Sequence, residues 1–499
     1  MKPLNIFTTL MTEDELHSLL RCAMELLENP GMRIESEKLR EALSLAGACV
    51  DESTQIVKYP ATLIEETISR AVAEESARRE QSSGDTATAE GTITFSWHTP
   101  FMKTAPDFQV SLGGGCPLFY DYKTDSVRYS TEDDLIRMLH LAEGIPQIIS
   151  AGNAVHCVID KNGNNTLPQL MPILGAATIA KHSSKPGASA LISPWQLDYL
   201  VAMGEVVRDG YDRYKSHPVF ININDTIPPL RLSKPEGEVI EALAAKGLPV
   251  YILPMPLLGV TAPITVFASA ATGIAEILGV WTGVKAINLD CPLECSVVSG
   301  AIEPRTGNPC FSAPEAIAVD LAVAQVFRSL GLRCGTGVGF IDACVPGTAA
   351  AYERTFKSTI AAMCGESNYP AGILAAGNIF SMEQLYIDLD IGAGQNHFMG
   401  LFDGNDLNNA VDLVRERGIG GFFMDTDHTV SNFREKVWVP QIFSRSKSKD
   451  PSEVPDMVGT AHERALQVIE QTTPYILPED KSREIDRIVA SAKSRMESL

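Results

Sequence analysis

From about residue 91 onward, short apolar runs of strand length alternate with longer runs of helical spacing. No other feature of the chain constrains its fold as tightly. Strand-like runs lie at 148–155, 188–192, 219–223, 250–253, 286–289, 332–338, 371–375 and 420–424. Helix-length text such as PEGEVIEALAAKG and PEAIAVDLAVAQVFRSLG separates many of them. Strands apolar on both faces and divided by helices predict a parallel sheet covered on both sides. Eight runs fit a closed TIM-like (β/α)8 barrel. A ninth run, 395–402, leaves a doubly wound sheet open as the alternative. No G-x-G-x-x-G follows an early strand, and Gly113-Gly114-Gly115 runs into Cys116-Pro117, which predicts a turn rather than a phosphate loop.

The flanks read differently. Thr12 followed by Glu15 forms a capping-box pattern, and Leu16, Leu19, Leu20, Ala23, Leu26 and Leu27 recur at helical spacing. Asn29-Pro30-Gly31 ends that helix, 36–45 predicts a second, and Tyr59-Pro60 opens a third. The expected organisation is an N-terminal helical region over 1–90, a barrel over 91–450 and a helical extension over 451–499. The extension contains amphipathic text at 457–472 and again from Asp480.

With 62 acidic against 41 basic residues, the formal net charge is −21. Such a surface repels phosphate backbones and argues against nucleic-acid binding. It suits a cationic ligand, although acidity is also an ordinary route to solubility. The N-terminal text lacks a signal-peptide pattern. The most apolar stretch, ITVFASAATGIAEILGVWTGV, carries Glu276 and reads better as a barrel wall helix than as a membrane span. The expectation is a cytoplasmic protein; chain size and tail helices leave room for a homo-oligomer.

In a barrel, chemistry gathers at the carboxyl ends of strands. Polar residues end several predicted strands: Asn153 and His156, then Asn222, Asn224 and Asp225, then Asp290, Asp342, and finally Asp425, Asp427 and His428. Any one alone reads as a capping or loop residue; their recurrence at one edge points to a site. Metal patterns are weak, since Cys291-x-x-x-Cys295 lacks a second pair and no H-E-x-x-H occurs. Cys344 has no base visible in the sequence. Aromatic residues cluster at Phe95, Trp97, His98 and Phe101, at Tyr120 and Tyr122, and around Asp342 at Phe340 and Tyr352. They serve either core and lid packing or a cage of ring faces around a permanent cation.

Five fragments carry a resemblance. They are GGGCPLFYDYKTDSVR (113–128) with TEDDL after it, PMPLLGVTAP (254–263), TGNPCFSAPE (306–315), GFIDACVPGTAAAYE (339–353) and DHTVSNFREKVWVP (427–440). In this order the chain resembles the trimethylamine methyltransferase family from about 15 to 447. Within the family it is similar to members that lack pyrrolysine and act on betaine-like quaternary amines.

The resemblance implies a TIM-type barrel that binds a methylated amine at its mouth. One N-methyl passes to the Co(I) of a separate corrinoid-binding protein, and the tertiary amine leaves. The barrel protein then holds no tight cofactor of its own. The stretch matching the family's pyrrolysine region reads IDACVP (341–346), all ordinary residues, which points away from trimethylamine. Pro346-Gly347-Thr348-Ala349 stands where an acid followed by glutamine is expected, so the substrate is open among betaines.

By the same implication Phe95, Trp97, Phe340 and Tyr352 hold the cation, while His156, His397 and Asn222 orient the rest. Asp342 stabilises the cation or fixes its loop. Arg434 either pairs with a substrate carboxylate or ties the C-terminal motif to the barrel. Two other classes compete: a barrel lyase or aldolase using Asp342 and His397 as acid–base residues, and a non-enzymatic amine sensor.

Overall fold

The Thr12 hydroxyl accepts the Glu15 N–H while the Glu15 carboxylate accepts the Thr12 N–H, and helix Glu13–Glu28 begins there. It buries Leu16, Leu19, Ala23 and Leu27. Helices Glu37–Leu45 and Ala61–Ser82 follow. The computed structural model describes residues 8–82, 109–220, 223–401, 407, 409–445, 450 and 454–498.

Strand Met32–Ile34 pairs antiparallel with Ile56–Lys58 and parallel with Arg231–Leu232, so the N-terminal region shares a sheet with the main body. Arg78 reaches Glu294 at 2.8 Å, and Glu75 reaches Arg333 at 3.0 Å. These pairs set helix Ala61–Ser82 beside the start of strand Leu293–Val297 and the residues leading into Gly335–Thr336.

The main body is a mixed α/β fold with two all-parallel sheets. One runs Gly335–Thr336, Leu293–Val297, Val250–Leu253, Ile223–Asp225. The other runs Asn368–Pro370, Gln109–Leu112, Ile148–Ala151. A parallel bridge from Ala151 to Pro186 and a 3.1 Å bond from the Phe220 N–H to the Gly187 carbonyl extend the second sheet toward the first. Helices alternate with the strands, among them Lys234–Lys246, Val266–Ile287, Pro314–Ser329, Thr348–Met363 and Met382–Gly400. Every residue of Leu293–Val297 is buried, as a strand covered on both faces requires. Above the strand ends, hairpin Leu118–Asp121 and Ser126–Tyr129 pairs through its first strand with Ile379–Phe380.

Several strand expectations are corrected. Residues 148–155 narrow to Ile148–Ala151, and 219–223 overlaps strand Ile223–Asp225 at one residue. No strand forms at 188–192 or 420–424. Residues 286 and 287 close helix Val266–Ile287, and the strand comes later, at Leu293–Val297. An apolar final helical turn and a short buried strand look alike in sequence, which explains that slip. The run 332–338 keeps only Gly335–Thr336, and 371–375 keeps Ile373–Leu374, paired antiparallel. The ninth run, 395–402, lies mostly within helix Met382–Gly400.

Helix Val266–Ile287 is, among the described residues, the one long and apolar enough to cross a membrane, and 83% of its apolar window is buried inside the protein. Glu276 in its middle accepts the Leu230 N–H at 2.8 Å and the Thr226 hydroxyl. The helix is a core element.

Candidate functional site at the strand carboxyl ends

Beyond strand Gly335–Thr336 the chain enters the segment 337–343, where four buried or half-buried charged groups converge. Asp342 accepts the N–H groups of Phe311 (2.8 Å) and Ser312 (2.7 Å) and the Cys310 thiol (2.9 Å). Glu353 accepts the N–H groups of Asp342 (2.8 Å) and Ala343 (3.0 Å) and the Ser312 hydroxyl (3.1 Å). One turn along helix Thr348–Met363, Lys357 donates to the carbonyls of Phe311 (2.9 Å) and Phe340 (3.1 Å) and faces Asp320 at 4.0 Å. Asp320 in turn accepts the N–H groups of Ser299 (2.7 Å) and Gly337 (3.1 Å). A Cβ on Gly337 would fall 2.9 Å from the Asp320 carboxylate, so the close approach needs glycine there.

Arg354 completes the brace. It pairs with Asp388 at 3.0 Å and donates to the carbonyls of Val338, Gly339 and Pro370, all at strand ends. Both partners of that pair are fully buried. Charges cross-linking several loops in a dehydrated setting hold those loops in one geometry.

Dehydration sets the electrostatics. Burial pushes Lys357 down to about 8 against the opposing pull of Asp320. Burial raises Asp320 to about 6 despite Lys357 and its hydrogen-bond donors. Both members shift toward neutrality, so loss of water outweighs their mutual attraction at 4.0 Å. Burial and the Asp342 carboxylate lift the Cys310 thiol to about 12, which removes it as a nucleophile at neutral pH.

His156 is half-buried, and burial lowers its pKa, so its ring is neutral at pH 7. The ring lies over Gly115, where a Cβ would come within 2.9 Å of Nε2. Nearby in sequence, Asn153 donates to Ser189 at 3.3 Å, while its buried Oδ1 has no partner among the described residues. The buried hydroxyl oxygen of Ser299 likewise has no partner among them. Phe340 tilts against Phe311 with ring centroids 6.2 Å apart.

The remaining predicted residues disperse. Tyr352 is 69% exposed and stacks on Phe356, on the opposite side of its helix from Arg354 and Lys357. His397 stands near the end of helix Met382–Gly400, with Nε2 3.2 Å from the Lys436 carbonyl. Arg434 is exposed on helix Asp427–Lys436. No hydrogen bond or ion pair among the described residues joins His397 or Arg434 to Asp342. Phe95, Trp97 and Asn222 lie outside the described residues. Also among the described residues, no group of three His, Cys, Asp or Glu side chains is placed to hold a metal.

Sequence reasoning passed over Asp320, Glu353, Arg354, Lys357 and Asp388. The signal was present: PEAIAVDLAVAQ and TAAAYERTFKSTIAAM are apolar helical text interrupted by charge. Charges at such positions stay buried only when paired or hydrogen-bonded.

Fold and site together define an α/β protein whose polar residues gather at the carboxyl ends of parallel strands. Comparison with known proteins is more specific. The family model described as trimethylamine methyltransferase (MTTB) matches residues 4–497, and the chain belongs to that family. It is 24% identical to a trimethylamine methyltransferase of Desulfitobacterium hafniense, covering 96% of this chain and 92% of that one. It is 22% identical to a glycine betaine methyltransferase of Desulfitobacterium hafniense, covering 96% of each. The solved monomethylamine methyltransferase of Methanosarcina barkeri aligns over 92% of this chain and 94% of its own, at 12% identity and a TM-score of 0.45.

Proposed function

We propose that this protein takes a methyl group from a small quaternary ammonium compound and passes it to a corrinoid carried by a separate protein. The observation that carries the reading is the family match over residues 4–497. The ordinary residues IDACVP at 341–346 and the relative named for glycine betaine favour a betaine-like substrate over trimethylamine.

The two parallel sheets are read as arcs of one (β/α)8 barrel. The 151–186 bridge and the bond between 187 and 220 support that continuity on one side. The substrate then sits at the carboxyl ends of the strands. The corrinoid supplies Co(I), a nucleophile strong enough to attack an N-methyl carbon. The C–N bond breaks, its electron pair stays on nitrogen, and a neutral tertiary amine leaves. No general base is required.

What remains for the protein is to hold a cation, orient one methyl and exclude water. Phe340 offers a ring face to the cation, and Phe95, Trp97 and Tyr352 are further candidates. Neutral His156 is a candidate to orient the polar end of the substrate, and Asn222 is a second. Asp342 is engaged with backbone N–H groups, which favours the loop-fixing role over direct contact. The same engagement, and the absence of any bond to His397 among the described residues, weighs against a lyase that uses the two as an acid–base pair.

The test is spectral: mix the protein with a corrinoid protein held as Co(I), add quaternary amines one at a time, and follow formation of methyl-Co(III). Conversion with one amine supports the reading and names the substrate. No conversion with any amine, using a corrinoid partner that accepts methyl groups from a related enzyme, overturns it.

A further inference from the structure

Helix Met457–Gln471 near the C-terminus is anchored at both ends. At its start, His462 Nδ1 lies 2.8 Å from the buried Glu383 carboxylate, in the first turn of helix Met382–Gly400. Past its far end, the Thr472 carbonyl lies 2.8 Å from His140 Nε2. Between these anchors the elements do not close on one another. They leave a cavity of about 470 Å³ whose walls include Gly144 to Gln147, Tyr386, Arg464 and Val468. Protein interiors pack as densely as organic crystals, so a gap of this size between anchored elements is a built feature. It is large enough for a small organic molecule.

A second observation points to a ligand. Tyr386 lines this cavity and is only 8% exposed, yet its buried hydroxyl has no partner among the described residues. Burial pushes it up to about 12, so it stays a donor at neutral pH. Buried donors are nearly always answered, and one that lines a cavity calls for an acceptor from outside the chain. Arg464 lines the same cavity from its exposed side and donates one arm of its fork to Gln467 at 2.8 Å. The Asp390 carboxylate, also in the lining, is answered by the N–H groups of Gln441 (2.8 Å), Ile442 (2.9 Å) and Phe443 (3.1 Å).

We infer that this cavity binds a small organic carboxylate, with Arg464 and Tyr386 holding its anionic head. Val110, Ile145, Leu389, Ile442 and Val468 cover its apolar body. A guanidinium arm and one hydroxyl match the two oxygens of a carboxylate. A phosphate would leave a further charged oxygen against apolar wall. The site stands apart from the one described above: residues 144–147 lead into strand Ile148–Ala151, and Val110 follows the first residue of Gln109–Leu112. It therefore lies at the strand amino ends, whereas Asp342 and its partners lie beyond the carboxyl ends. Nothing in this inference depends on the methyl-transfer reading.

Titration calorimetry of the full chain with octanoate as the probe tests this, with circular dichroism as the check that each variant is folded. The wild type is expected to bind one octanoate per chain and to ignore octylamine, which has the same tail and the opposite charge. Arg464→Gln, a change at an exposed residue, is expected to weaken binding about tenfold. Tyr386→Phe should weaken it about fivefold. Val468→Trp fills the cavity and should abolish binding. No binding by the wild type overturns the inference, as does binding that survives both Arg464→Gln and Val468→Trp unchanged. Equal binding of octylamine overturns it by removing the anionic head from recognition. Displacement of octanoate by glycine betaine overturns it by assigning the probe to the strand carboxyl ends.

Discussion

Helices Thr348–Met363 and Asp427–Lys436 carry similar charges and use them in opposite ways. In the first, Arg354 and Lys357 are buried and Glu353 is half-buried, and each of the three bonds to the backbone of the segments at the strand ends. In the second, Asp427, Arg434 and Glu435 stand in solvent beside exposed Val430 and Phe433. The difference teaches where charge is structural in this protein. A buried charge must be answered by partners, and answering it freezes the loops around it; an exposed charge is answered by water and costs little.

The sharpest way to break the comparison is to remove one partner from each region. Asp388→Ala strands the Arg354 guanidinium and is expected to cost about 3–5 kcal/mol in chemical denaturation. Asp425→Ala, which breaks the exposed pair with Arg417 at 3.2 Å, should cost no more than about 1 kcal/mol. Equal losses would end the distinction.

Next in size is Asp342→Ala. Two backbone N–H groups lose their acceptor, at about 1–3 kcal/mol. Displaced loops are also expected to lower methyl transfer by roughly a hundredfold. A fully active variant in the spectral assay would free Asp342 of its positioning role.

Lys357→Met probes the buried ammonium through pH. The folded pKa of about 8 lies below the ordinary 10.5, so unfolding takes up a proton between these values. The Lys357 contribution to stability therefore rises with pH across that window and is lost as pH falls through about 8. Urea denaturation should show the gap between wild type and variant widening between about pH 8 and about pH 10. A constant gap would place Lys357 outside the dehydrated network.

The smallest effect is expected for Met424→Ser. The stability of the variant should differ by less than about 0.5 kcal/mol, because the side chain is 77% exposed. A larger loss by denaturation would mean that this residue is packed within its own chain.

Where the sequence could be read well, local chemistry was enough. The Thr12–Glu15 capping box, the stop at Asn29 and helix Val266–Ile287 follow from spacing and caps within one segment. The 250–253 strand was legible because its apolar run is bounded on both sides. The 286–289 and 420–424 runs misled because apolar text records hydrophobicity, while a strand also needs a neighbour to accept its hydrogen bonds. Asp342 and His156 lie just beyond the carboxyl ends of Gly335–Thr336 and Ile148–Ala151, the edge where the sequence put them, with Phe340 in the same segment as Asp342. Helical phase turns Tyr352 outward while Glu353 turns in, a difference between neighbours that the sequence run alone did not show.

By itself, then, the sequence determined an alternating α/β chain with acidic surface, capped helices and polar residues at strand ends. Each of those depends on residues within a turn or two of one another. Only the tertiary structure decided which charges meet. Lys357 finds Asp320 and the carbonyls of Phe311 and Phe340 across separations that no local pattern encodes. Burial, which pulls Lys357 down to about 8, belongs to the packed molecule, since it arises from water excluded by distant parts of the chain.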